Sequence, residues 1–195
     1  MITATALDKH VEQLFDVLRR LHSALTEARI EYRIVGGLAI FLQVSERSHD
    51  AARLTRDVDV AVDRKDLERI AEAVGAFGFR YRHVTGIDML VDAKEPKARS
   101  AVHMVFVQEK VRQEYLEPVP GFTKPTVTKE GILLAPVADL VRMKLTSFRL
   151  KDKVHIIDLD SVGLITPEIE QALPEALRAR LEQVRKEERQ STGAE

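Results

Sequence analysis

Residues 55–60 read Thr55-Arg56-Asp57-Val58-Asp59-Val60 and run on into Ala61 and Val62. Valine alternates with aspartate or alanine, the period of a half-buried strand, so one face is apolar and the other carries both acids. Two strand residues advance about 6.6 Å, which points Asp57 and Asp59 from one face, close enough for their carboxylates to converge on a hard divalent cation. Like charges so placed repel unless cations or hydrogen-bond donors compensate them, and magnesium with a bound polyphosphate is one such compensation. Read alone, the same alternation also fits an edge or half-exposed strand with solvated acids.

The segment upstream adds a second element. Tyr32 to Val35 predicts a short strand, Gly36-Gly37 interrupts it, and Leu38 to Val44 resumes as a helix packed close behind the turn. Glycines between a strand and a helix let backbone N–H groups approach a phosphate at the positive end of the helix. An ordinary tight turn uses the same residues. The conjunction is what favours function: one element can hold phosphate oxygens while the next predicted strand holds the metal that neutralises them.

Outward from this pair, Leu7, Val11, Leu14, Val17/Leu18, Leu21 and Leu25 recur at helical spacing and predict a long amphipathic first helix. Ser45 to Arg56 reads as a polar loop. Asp63 and Asp66 form a capping pair for a helix whose buried stripe is Leu67, Ile70, Val74 and Phe77, and Gly75 and Gly78 punctuate its end. Apolar runs around Gly86 to Val91 and Ala101 to Val107 predict further strands of the same sheet. Pro118, Pro120 and Pro125 mark an irregular linker, with a short strand at Ile132 to Leu134. Helices follow from Pro136 to Phe148, from Asp152 to Val162, from the Thr166-Pro167 cap and from Pro174. The expected fold is α/β (α+β), a mixed sheet flanked by helices over residues 1–134, with a helical C-terminal subdomain over 135–190. From Arg185 to Glu195 the chain loses its apolar positions and is expected to fray, with residues 191–195 as a tail beyond the subdomain.

Composition narrows the chemistry. The chain has 195 residues, 30 Lys+Arg against 31 Asp+Glu and no Cys, so no global basic field holds nucleic acid, and thiol nucleophiles, thiolate metal sites and disulfides are excluded. No apolar stretch approaches the roughly 20 residues that span a bilayer, and the N-terminus lacks a signal-peptide pattern. A cytoplasmic protein with no membrane partner is expected.

The stretch IVGGLAIFLQ followed by LTRDVDVAV resembles the signature of the DNA polymerase beta-like nucleotidyltransferase superfamily, in which a glycine turn precedes an Asp-x-Asp strand. The downstream VRMKLTSFRLKDKVHIIDL is similar to the lysine and aspartate motifs of the abortive-infection toxin type and related small bacterial nucleotidyltransferases. Together they span most of Tyr32 to Gly163. The resemblance implies a nucleotidyltransferase-like fold, magnesium, and transfer of a nucleotide from a nucleoside triphosphate. Carried over, Gly36 and Gly37 contact the triphosphate with Thr55 and Arg56 beside them, and Asp57 and Asp59 are catalytic and hold the metal. Family members often carry a third carboxylate on a later strand that readies the acceptor hydroxyl. Here the aligned position is His103, an imidazole that can accept a proton but does not replace an anionic ligand for magnesium. A hydrogen-bonded, partly buried histidine is the other reading of His103, and Asp88 is a reserve source of the missing charge.

Lys144 projects from the apolar stripe of its helix, between Leu140 and Phe148, so it either snorkels to solvent or reaches phosphate oxygens, the role the resemblance suggests. On the next helix Asp152, His155 and Asp158 form a row of three-residue spacing, readable as a ligand set or as an ion-pair network that fixes the helix. Asp158 best matches the family's last acidic motif and joins the nucleotide-binding candidates. Arg142, Lys144, Arg149, Lys151 and Lys153 form a basic cluster that either faces water or binds a nucleic-acid backbone. The expected function is a magnesium-dependent nucleotidyltransferase with a nucleoside triphosphate donor and a protein, RNA-end or small-molecule acceptor, with a partner protein if it belongs to a toxin-antitoxin pair. The alternative is an inactive nucleotide-binding or nucleic-acid-binding protein of the same fold.

Overall fold

Val58, Val60 and Val62 give the central strand its buried face, and the sheet grows on both sides of it. The computed structural model describes residues 4–53, 55, 57–94 and 101–193. Its strands are β1 (Tyr32–Val35), β2 (Val58–Val62), β3 (Phe79–Val84), β4 (Ile87–Asp92), β5 (Val102–Phe106), β6 (Thr126–Val127) and β7 (Leu133–Leu134). Among the described residues they form one seven-stranded sheet in the order β3-β4-β5-β2-β1-β7-β6. β2 with β5 and β1 with β7 are parallel pairs, and the other neighbours are antiparallel. This is the mixed sheet flanked by helices expected from the sequence.

The helices are α1 (Ala4–Glu27), α2 (Gly36–Ser45), α3 (Leu67–Ala73), α4 (Val137–Ser147), α5 (Leu150–Ser161), α6 (Pro167–Ala172) and α7 (Glu175–Thr192). The stripe Leu14, Leu18, Leu21 and Leu25 of α1 is buried, at ~2 kcal/mol of transfer free energy per leucine. It covers the sheet face of Tyr32, Val60 and Met104: the Tyr32 hydroxyl meets His22 Nδ1 at 2.6 Å, and the Arg20 guanidinium lies 4.6 Å from the Phe79 ring centroid. α3 sits beside α1, joined by Arg69 donating to the Ala28 carbonyl at 2.7 Å. The Asp63 cap is present, accepting from the Lys65 N–H and opening a 3-10 turn that leads into α3.

On the opposite face, the proline-containing linker is strapped down by Arg33 of β1. This buried guanidinium donates to the Thr123 carbonyl at 2.6 Å and to the Tyr32 carbonyl at 2.7 Å, and stands 5.1 Å from the Phe122 ring centroid. The irregular chain thus gains the backbone partners that a buried segment needs.

α4 ends where Phe148 takes a left-handed conformation, φ 48°, and α5 starts two residues later. Arg180 of α7 holds this corner, donating to the Leu145 and Thr146 carbonyls at 2.7 and 2.9 Å while its guanidinium lies 4.7 Å from the Phe148 ring centroid. α7 itself continues to Thr192, through the polar stretch expected to fray. Arg185 bridging Asp160 and Glu170, and Lys153 meeting Glu187, tie that stretch back to α5 and α6. No helix among the described residues is long and apolar enough to cross a membrane.

Candidate active site

The glycine turn and the acidic strand meet. β1 and β2 pair antiparallel with Val35 opposite Asp59, so the chain leaves β1 at Gly36 beside the Asp59 side chain. Gly36 has φ +71°, a conformation glycine adopts without steric cost, and a Cβ there would overlap Asp59 Oδ2. Gly37 is equally confined: a Cβ on it would lie 3.0 Å from Thr55 Oγ1 and 3.3 Å from His155 Cε1. The Thr55 hydroxyl also accepts from the Asp57 N–H at 3.4 Å, bending the chain into β2. Arg56 lies outside the described residues.

β5 pairs with β2 in register Asp59 to His103, which sets the imidazole next to the carboxylate on the same sheet face. His103 Nδ1 is 3.5 Å from Asp59 Oδ1, a charge-pair distance longer than a good hydrogen bond, and both side chains are about one-third exposed. Asp59 raises the His103 pKa above the ordinary imidazole value, against the opposing effect of burial, and the charge of Asp57 adds to the rise. Asp88 is elsewhere. Its register partner is Met104, so it points to the helix-covered face, where it accepts from the Tyr81 hydroxyl at 2.5 Å and meets His83 Nδ1 at 2.8 Å.

The C-terminal helices close the other side. Lys144 neither snorkels nor stands free: its ammonium is buried 3.0 Å from Asp152 Oδ1. Asp152 has no exposed surface and also accepts from Ser147 Oγ at 2.8 Å, Arg149 Nε at 2.7 Å and the Arg149 N–H at 3.2 Å. Burial pushes its carboxyl up, but the Arg149 fork, the Lys144 ammonium and the Ser147 hydroxyl outweigh this and hold it well below the usual carboxylate range. Asp158, also buried, receives Arg53 Nε at 2.9 Å, which anchors the polar loop before Thr55; burial raises its pKa against that pairing.

His155 is the residue whose place the row of acids did not disclose. It lies between those two aspartates in sequence yet bonds to neither: its Nδ1 is buried without a hydrogen-bond partner among the described residues, and its ring packs on Gly37. Burial, then the Lys144 charge, push its pKa down to about 4, so the ring is neutral at physiological pH. Arg149 and Lys151, at the start of α5, are exposed, and their charges reach the site: Lys151 acts on His103 and His155, and Arg149 on Asp59. Their sequence signal was the basic cluster, which gave no hint of which members face the acids.

Among the described residues no three His, Asp or Glu side chains converge as a self-sufficient metal cage. The donor set suits magnesium of another kind. Asp59 on β2 with the side-chain-free turn against it, and Asp57 just before the strand with its charge reaching His103, fit an ion that keeps water and phosphate oxygens as its remaining ligands.

No protein-family model and no curated protein sequence matches the chain. Solved structures do. The crystal structure of ANT(2")-Ia in complex with adenylyl-2"-tobramycin matches with a TM-score of 0.54 at 12% identity, covering 88% of this chain and 98% of that one. The solution structure of the antibiotic-resistance factor ANT(2'')-Ia covers 94% of this chain and 95% of its own at 12% identity, with a TM-score of 0.47. The likeness to the crystal structure shows a shared fold, a mixed sheet flanked by helices, which is the expected fold class.

Proposed function

We propose that the chain is a magnesium-dependent nucleotidyltransferase that moves a nucleoside monophosphate from a nucleoside triphosphate to an acceptor hydroxyl. The observation that supports this reading is the packing of Asp59 against Gly36 with His103 in register beside it, which brings a carboxylate, a side-chain-free turn and an imidazole together. Gly36 and Gly37 hold phosphate oxygens through backbone N–H groups at the start of α2, with Thr55 beside them. Asp57 and Asp59 would hold magnesium, which when bound neutralises phosphate charge as it develops. Arg149 and Lys151 attract the triphosphate tail, and Lys144 contributes by fixing Asp152 and thereby the Arg149 fork. Asp158 acts on the nucleotide through Arg53 and the loop that carries Thr55.

In the reaction the acceptor oxygen forms a bond to the α-phosphorus while the bond to the β-phosphate oxygen breaks, and pyrophosphate leaves with the electron pair. The hydroxyl proton passes to an unprotonated ring nitrogen of His103. Placement and electrostatics do the rest. The adenylyl-2"-tobramycin held by ANT(2")-Ia makes an adenylyl group and a hydroxyl-bearing acceptor the first pair to try. The lysine and aspartate motifs on α4 and α5 support a relation to the abortive-infection toxin type, a cytoplasmic setting and a partner protein.

The test is magnesium-dependent binding of labelled ATP to the parent and to Asp59→Asn, followed by product analysis across hydroxyl acceptors. Asp59→Asn should lose the metal-linked part of the affinity while unfolding near the parent temperature. An identical titration for the two proteins rejects the site. Tight magnesium-nucleotide binding with no product for any acceptor favours a nucleotide-binding protein without transfer chemistry, the outcome that His103 in place of a carboxylate makes worth measuring.

A further inference from the structure

From the site the sheet runs outward to an exposed edge at β3, with Val91 beside Arg80 buried. Three registers join end to end: Asp59 pairs with His103, His103 with Met89, and Met89 with Arg82. These four side chains therefore stand in one row on one sheet face, running from the acid strand to the outer edge at β3. Strands lie about 4.8 Å apart, so the row is about 14 Å long from the Asp59 backbone to that of Arg82. Arg80, two residues before Arg82, shares the face. Val84 and Ile87, paired across the hairpin on the same face, are 50% and 49% exposed.

The two arginines have no internal task. Arg80 and Arg82 are exposed, and among the described residues neither makes a hydrogen bond or an ion pair, while arginines such as Arg20, Arg33, Arg64, Arg69 and Arg185 are all engaged. An edge strand gains solubility from charge. That need does not put both charges on the face of Asp59 and His103, with Met89 and Ile87 forming an apolar floor between.

We propose that this row is the acceptor subsite, and that the acceptor is a small hydroxyl compound carrying a phosphate group, a reading that rests on the transfer site proposed above. The hydroxyl lies at His103, the body on Met89 and Ile87, and the phosphate against the Arg82 and Arg80 guanidinium groups, whose planar forks match phosphate oxygens. A polynucleotide fits less well. No Phe, Tyr or Trp stands on this face of β3, β4 and β5, since Phe79, Tyr81 and Phe106 point to the helix-covered face, so bases have no ring to stack on. Two cations also give only a small counterion-release gain. A polycationic acceptor would be repelled.

The experiment uses 6-hydroxyhexyl phosphate as probe, titrated into the full chain with magnesium and a non-hydrolysable ATP analogue. The comparison compounds are 1,6-hexanediol, 6-aminohexan-1-ol and a short single-stranded oligoribonucleotide. The phosphate probe should bind at least tenfold more tightly than the diol or the amine. Arg82→Gln combined with Arg80→Gln should weaken it about tenfold or more, and Arg82→Lys, which keeps the charge but not the fork, should recover only part of that loss. ATP-analogue binding, measured in every variant, should stay at the parent value, which also shows that the variants are folded. Equal binding of phosphate probe and diol, absence of binding by the probe, or indifference to the arginine substitutions overturns the subsite. Tighter binding of the oligoribonucleotide than of the probe overturns the small-molecule assignment in favour of a nucleic-acid acceptor. Loss of ATP-analogue binding by the parent itself refutes the underlying transfer site instead, so the two failures are distinguishable.

Discussion

The Asp59 carboxylate occupies the space in which a Gly36 side chain would begin, with Asp59 Cγ 2.9 Å from where that Cβ would stand. Gly36→Ala must therefore displace Asp59 and also hold a non-glycine residue at φ +71°. The expected cost is about 2 kcal/mol of stability, together with at least a tenfold loss of magnesium-nucleotide affinity. Thermal unfolding and nucleotide titration on the same variant check both parts. A Gly36→Ala protein that binds nucleotide like the parent would show that the turn does not cradle phosphate.

His103 stands where a carboxylate would complete an acidic trio. His103→Asp adds an anionic oxygen ligand beside Asp59 and removes the imidazole, so divalent-cation affinity should rise by roughly tenfold. Manganese titration followed by electron paramagnetic resonance reads this directly. Unchanged manganese affinity would place the ion away from β5.

Lys144 and Asp152 form a buried ion pair, and removing one partner strands the other charge. Lys144→Met should destabilise the fold by about 3 kcal/mol, although Arg149 and Ser147 still reach Asp152. Lys144→Met combined with Asp152→Leu should recover part of that loss, because both charges are gone. Urea midpoints of the two variants decide. A Lys144→Met protein as stable as the parent but deficient in nucleotide binding would return Lys144 to direct phosphate contact.

His155 makes stability depend on pH with a defined sign. Its folded pKa, about 4, lies below the unfolded imidazole value of about 6.5, so the unfolded chain binds the proton first as pH falls. The stability is fully present above about pH 6.5 and is lost as pH drops toward 4, by about 2 kcal/mol after allowance for partial exposure. His103 has the opposite sign: its raised pKa gives stability below about pH 6.5 that disappears as pH climbs through the folded value. Denaturation series on His155→Leu and His103→Asn should separate the two slopes. Loss of the acid-side slope in His103→Asn and its retention in His155→Leu would reverse the assignment.

The glycine turn, the acid strand and His103 were legible because each is a local pattern, and a seven-stranded sheet then had one way to join them. β3 was not. Phe79-Arg80-Tyr81-Arg82-His83-Val84 mixes charge with aromatics as an outer strand does, and no apolar run announces it. β6 is a two-residue strand after a proline-containing linker, held by partners six and eight residues away. The Lys144 pairing was hidden for another reason: Lys144 and Asp152 lie on different helices, brought together by the left-handed turn at Phe148 that no residue type there predicts. His155 looked like a member of an acidic row because spacing along a helix says nothing of the glycine turn packed against it.

The grip of Arg180 on the corner at Phe148 makes the site depend on a residue more than 30 positions further along the chain. Every element that carries an acid or a glycine of the site is synthesised before residue 162, yet the corner presenting Arg149 and Lys151 acquires its clasp only when translation reaches the last helix. A chain cut before Arg180 loses this clasp together with the buried Leu181 and Val184 of α7, while Arg149 keeps its hold on Asp152.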